Sequence, residues 1–222
     1  MGSWVNATEN EKVYVSLPEG GAGPAVIVLH AWWGLNAFFQ SLCDRLAREG
    51  FVAVGADLFH GKVARTIPEA EGLMQLEQEE PLTAILTNVM DYLKTLPGVT
   101  GEGIGVIGAS MGAWWALKLA VMEPERVRAV VLFYSTGGQD FSRSQAAFQG
   151  HYAGQDPYES AQDVNRLEEQ LRAAGREVEF FHYPGTKHWF IETDRPEYDP
   201  AAAQQAWERL VAFLHHRLGG DR

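Results

Sequence analysis

Two hydrophobic periods alternate along the chain. Val13-Tyr14-Val15 alternates as a half-exposed strand does, whereas Ala25-Val26-Ile27-Val28-Leu29 is an unbroken apolar run of the kind buried on both faces. Asn36 is then placed to cap a helix that runs to about residue 49 and stops at Gly50. Residues 51–54 form a second buried strand ending at Asp57. A polar stretch over 61–80, helical in character but poorly bounded, leads to a helix over 81–96 that Pro97-Gly98 ends. Beyond it the pattern predicts a strand over 104–107, a helix over 111–121, a strand over 127–134 and a weaker strand over 147–152. A helix over 156–174, a strand over 178–183 and an amphipathic helix over 200–217 close the chain. Regular strand–helix alternation predicts an α/β fold, a mostly parallel central sheet with helices on both faces. No repeat, low-complexity tract or linker interrupts it, so residues 1–222 read as a single domain.

Composition narrows the chemistry. Apolar residues make up 46% and charged residues 21% of the 222, ordinary globular usage. A formal net charge of −11 argues against nucleic acid and anionic membrane surfaces as partners, because both require a basic footprint. The single cysteine, Cys43, excludes an internal disulfide framework or a multi-thiolate zinc site and reads as a buried helix residue. The N-terminal MGSWVNATEN has neither a basic n-region nor an apolar h-region, and no apolar run approaches the ~18 residues of a membrane span. The expectation is a soluble, cytoplasmic protein. There is no H-E-x-x-H and no G-x-x-x-x-G-K-[ST], so neither a metal nor a cofactor is expected.

Candidate chemistry concentrates in GIGVIGASMG, residues 103–112. Its first six residues fit G-x-G-x-x-G, the dinucleotide-binding turn, and its last five fit G-x-S-x-G, the turn that presents a nucleophilic serine. A dinucleotide fingerprint must follow a strand, yet here the apolar run 104–107 lies inside the pattern and the upstream residues 98–102 look loop-like. Glu123 lies about 20 residues on, where a ribose-binding acid belongs, but at the end of the following helix a solvated glutamate is commonplace. The serine turn fits its context, between a strand and a helix. It lifts the Ser110 hydroxyl to the carboxyl edge of the sheet and leaves the Met111 N–H at a helix N-terminus.

A serine hydroxyl needs a base, and the base needs an orienting acid; in this fold the chain order is Ser, acid, His. The loop after 147–152 carries Gly154-Gln155-Asp156-Pro157, and the loop after 178–183 carries Pro184-Gly185-Thr186-Lys187-His188. Parallel strands end on one side, so Ser110, Asp156 and His188 are the candidate catalytic set. Asp140 is the runner-up acid. His30 comes too early, His60 lies in a loop, His151 and His182 sit within strands, and His215 and His216 fall on the last helix.

With these residues in place the chain resembles the dienelactone hydrolase family of α/β-hydrolases. The resemblance runs from residues 25–36 and Ala56-Asp57-Leu58 through Gly108–Gly112 to residues 183–190, 195–199 and 206–209. It implies that the Trp32 N–H joins the Met111 N–H as second oxyanion donor, and that Trp33, Tyr134, Trp189 and Phe190 crowd a substrate pocket. Trp114 and Trp115, about 100° apart on one helix, are better read as core. Family members proper carry cysteine at the place of Ser110 and glutamate at the place of Ala31; both are changed here, in mutual agreement. Where lactone-cleaving members hold a substrate carboxylate with arginine, this chain has Glu192, which implies an uncharged substrate.

The expectation is a serine hydrolase of small carboxylic esters or lactones, working as a monomer or homodimer. The alternatives are a binding module that holds a small ligand without turnover, and a nicotinamide oxidoreductase. Residues 61–80 are open between a lid and an interface.

Overall fold

The computed structural model describes residues 1–76 and 79–219, so positions 77–78 of the polar 61–80 stretch lie outside it. The chain forms two compact units, Met1–Gly101 and Glu102–Arg222.

In the first unit β1 (Ser3–Asn6) and β2 (Lys12–Ser16) pair antiparallel, β2 pairs antiparallel with β4 (Val52–Ala56), and β4 pairs parallel with β3 (Gly23–Leu29). The four-residue edge strand β1 was not expected, being too short for periodicity to register. Helix α1 (Ala37–Arg48) begins as its sequence predicts, with the Asn36 side chain accepting the N–H groups of Phe38 and Phe39 at 3.1 and 3.3 Å. Phe38, Phe39, Leu42, Cys43 and Leu46 form its buried stripe, and burial pushes the Cys43 thiol up, leaving it a packing residue. In the polar stretch lies α2 (Ile67–Leu76). Helix α3 (Glu79–Thr95) starts two residues earlier than expected, because Pro81 falls in its first turn, where a missing N–H costs no helical bond.

The second unit is a parallel array. Strands β5 (Val99–Ala109, its first residues belonging to the other unit), β6 (Val127–Phe133), β7 (Ala147–Gln155) and β8 (Val178–Lys187) pair in that order. Strand β5 begins at Val99, so residues 99–102 are strand and not loop. The glycines of G-x-G-x-x-G nevertheless lie within that strand and not in a turn after it. Helix α4 (Met111–Met122) follows β5 and is apolar nearly all round; Trp115 is buried, and Trp114 packs edge-on against it at 4.9 Å.

Between β7 and β8 runs α5 (Ala161–Ala173). It starts five residues later than predicted, because Ser160, and not Asp156, caps it by accepting the Asp163 N–H at 3.1 Å. Helix α6 (Pro200–Leu218) closes the unit, with the Asp199 carboxylate accepting from Ala201 and Ala202. A strand-then-helix order leaves the carboxyl ends of β5 to β8 together, and that edge receives the candidate residues. Among the described residues no helix is long and apolar enough to cross a membrane.

Candidate active site

Each strand of the second unit delivers one residue to the site as it ends. Ser110 is the first residue past β5 and donates its N–H to the Phe133 carbonyl at 2.9 Å, which ties it to the end of β6. Its backbone, φ 50° and ψ −118°, lies in a sparsely populated region that costs of order 1–3 kcal/mol and persists only when the surroundings enforce it. Close approach of strand and helix supplies the enforcement. A Cβ on Gly108 would fall 2.3 Å from the Gly112 carbonyl oxygen and 2.5 Å from the Ala113 Cα. Because both obstacles are backbone, Gly108→Ala is expected to destabilise the fold by about 1–3 kcal/mol, lowering the calorimetric Tm by roughly 5 °C. An unchanged Tm would mean that the close packing of β5 on α4 is not what holds the turn.

The last rung of the β7–β8 ladder pairs Gln155 with Lys187, past an irregularity between Ala153 and Gln155. Asp156 and His188 each stand one residue beyond that rung, so ladder register alone sets them side by side. Strand β8 thus continues through residues 184–187, where a loop was expected. His188 Nδ1 lies 2.7 and 2.9 Å from the two Asp156 carboxylate oxygens, and Nε2 lies 3.0 Å from the Ser110 Oγ. The carboxylate only accepts, so Nδ1 carries the hydrogen and the Nε2 lone pair faces the serine hydroxyl. Both side chains are nearly enclosed, 4% and 3% exposed. Asp156 is itself held, Oδ1 accepting the N–H groups of Tyr158 and Glu159 at 2.9 and 3.1 Å. The Thr136 hydroxyl donates to Glu159 at 2.6 Å and so ties this turn to the segment after β6.

Aromatic rings enclose the imidazole: Tyr134 at 4.6 Å, Tyr158 at 4.8 Å and Trp189 at 5.1 Å between centroids. Tyr134 and Trp189 both adopt left-handed backbone, φ 40° and 67°, unfavourable for bulky residues. Tyr158 was missed by sequence reasoning, since an aromatic in a loop gives no periodic signal.

Other expectations need correction. Tyr134 and Phe190 are wholly buried and Trp33, in the first unit, nearly so, and a side chain so enclosed offers no surface to a bound molecule. Trp32 and Trp33 lie in the first unit, in the turn after β3, with ring centroids 5.4 Å apart. Met111 opens α4, where its N–H, like those of any first helical turn, has no intrahelical acceptor. Glu192 is also wholly buried, with Oε1 accepting the Tyr134 hydroxyl at 2.6 Å. It therefore displays no charge to substrate, and the case against anionic substrates loses that support.

The rival residues are occupied elsewhere. Asp140 accepts the Ser142 N–H at 3.0 Å, capping a short 3-10 turn (Phe141–Arg143). His30 donates from Nδ1 to the Ala31 carbonyl at 2.6 Å and accepts the Leu58 N–H at Nε2 at 3.1 Å; burial pushes it down to about 4. His151, between Tyr183 and Gln149 at 2.7 and 3.0 Å, is pushed down to about 3 by burial. Among the described residues no group of three or more His, Cys, Asp or Glu could hold a metal ion.

The sequence profile of the dienelactone hydrolase family matches residues 12–218. Protein usf of Aquifex pyrophilus is 31% identical over 231 residues, an alignment covering 98% of this chain and all of that one. A Bradyrhizobium protein named "Probable 2-oxo-3-(5-oxofuran-2-ylidene)propanoate lactonase" is 28% identical, with 96% of this chain and 92% of that one covered. Among solved structures, a dienelactone hydrolase-like promiscuous phosphotriesterase from metagenomic libraries superposes with a TM-score of 0.84 at 20% identity, covering 99% and 98% of the two chains. The chain has the α/β-hydrolase fold and belongs to the dienelactone hydrolase family.

Proposed function

We propose that the protein is a serine hydrolase that cleaves small carboxylic esters or lactones through an acyl-enzyme. The observation that carries this reading is the hydrogen-bonded file Ser110–His188–Asp156, at 3.0 and 2.7 Å. His188 Nε2 takes the hydroxyl proton as Ser110 Oγ attacks the acyl carbon, and the tetrahedral oxyanion draws on the N–H group of Met111 at the start of α4. His188 then gives the proton to the leaving alkoxide, and the C–O bond to the alcohol breaks. Water, deprotonated by His188 in turn, attacks the acyl carbon and releases the acid and free Ser110. A formal charge of −11 favours neutral over anionic substrates at long range. A lactonase name among the relatives supports a cyclic ester as one substrate class. The reading includes a cytoplasmic protein, monomeric or homodimeric, that engages neither nucleic acid nor membrane.

A fluorophosphonate probe tests it, since attack by Ser110 on phosphorus leaves a stable adduct. One adduct per chain is expected, mapped by peptide mass spectrometry to Ser110 and competed by p-nitrophenyl acetate. An unlabelled protein that still binds small esters would make it a binding module instead.

A further inference from the structure

Behind the imidazole lies a carboxyl that the proposed chemistry leaves unused. Glu192 is wholly buried; Oε1 accepts the Tyr134 hydroxyl, while Oε2 has no hydrogen-bond partner among the described residues. It sits in the turn after His188, where its N–H donates to the Trp189 carbonyl at 2.8 Å. Tyr134 comes from the end of another strand and touches both groups, its ring 4.6 Å from that of His188 and its hydroxyl on Glu192. An apolar side chain would fill the place of Glu192 without the desolvation cost. What the carboxyl adds is an acceptor that fixes the tilt of the Tyr134 ring.

We infer that Glu192 is a positioning residue, acting through Tyr134 to hold the His188 imidazole where it reaches Ser110 and Asp156 together. The inference rests on the serine hydrolase reading. It also carries a pH signature. Burial is the main force on the Glu192 carboxyl and pushes it up to about 8; Asp194 and Glu197 push the same way, and the Tyr134 hydroxyl and Arg195 oppose them. Asp156 and Asp194 are the further charges that bear on Tyr134. Near neutral pH Glu192 is thus a neutral acid. Ionisation above neutrality makes its bond to Tyr134 charge-assisted, which holds the ring against His188 more firmly and so raises turnover.

The test measures kcat and KM on p-nitrophenyl acetate from pH 6 to 9.5 for the wild type, E192L, E192Q, Y134F and the double variant Y134F/E192L. E192L is expected to lower kcat by about 10–100-fold with KM little changed, as a misplaced base would. E192Q keeps an acceptor oxygen for Tyr134; it is expected to recover most of that kcat at pH 6.5 and to lack the rise near pH 8. The double variant is expected to be no worse than its poorer parent, because both substitutions break one linkage. Should E192L fail to fold, E192Q and Y134F decide. Wild-type kcat in Y134F, or a wild-type pH profile in E192Q, would overturn the inference. Failure of the wild type itself to hydrolyse ester or label at Ser110 would instead defeat the parent reading.

Discussion

Replacing Ser110 with alanine is expected to lower kcat for p-nitrophenyl acetate by about 10⁴–10⁶-fold, with the thermal transition nearly unchanged. At 1.36 kcal/mol per tenfold, that is roughly 5–8 kcal/mol of transition-state stabilisation. The effect is large because the alternatives to the Oγ are poor. Water taking its place would have to be ordered beside His188, and the oxyanion donors alone leave a rate only ~10³–10⁴-fold above the uncatalysed reaction. Stability is expected to hold because the fold-determining interaction at this position is the main-chain bond from the Ser110 N–H to Phe133, which alanine keeps. Alanine also tolerates the φ of 50° no worse than serine does. Wild-type turnover by the folded variant, with esterase contaminants excluded by active-site titration, would remove Ser110 from the chemistry.

The elements that carry the site were legible for a definite reason. Ser110 was found because its glycine spacing records a steric demand, visible in the 2.3 Å approach at Gly108. Asp156 and His188 were found because parallel strands end on one side, so a polar residue just past an apolar run has its location dictated by topology. The position of strand ends was not legible. Nothing in Pro184-Gly185-Thr186-Lys187 shows that β8 continues past Tyr183, since ladder pairing is a property of two segments and not of one. Asp156 and Ser160 are both good helix caps by type, and only the structure shows that the first closes a turn and serves His188 while the second starts α5. Glu192 misled because a glutamate is ordinarily solvated; its burial depends on Tyr134, 58 positions away in the chain.

Converting Asp156 to asparagine is the second substitution with a large expected effect, about 10³–10⁴-fold in kcat with KM close to wild type. The carboxylate is nearly isosteric with the amide, so the turn built on Oδ1 from the Tyr158 and Glu159 N–H groups survives if the amide oxygen takes that place. The amide nitrogen must then point at His188 Nδ1, now as a donor where an acceptor had stood. The imidazole answers by moving its hydrogen to Nε2, which faces Ser110 and can no longer take the hydroxyl proton. The anion that balanced the imidazolium in each transition state is lost as well.

The pH dependence separates this cause from simple disorder of the site. Hydroxide can strip the hydroxyl proton that the wrong tautomer cannot take, so the variant's rate is expected to keep climbing with pH where the wild type levels off. Fluorophosphonate labelling of Ser110 is expected to slow by a similar factor at neutral pH and to recover as the pH is raised. An Asp156→Asn protein that labels and turns over as fast as the wild type at pH 7 would show that His188 takes its orientation from elsewhere. The aromatic enclosure of Tyr134, Tyr158 and Trp189 would be the place to look.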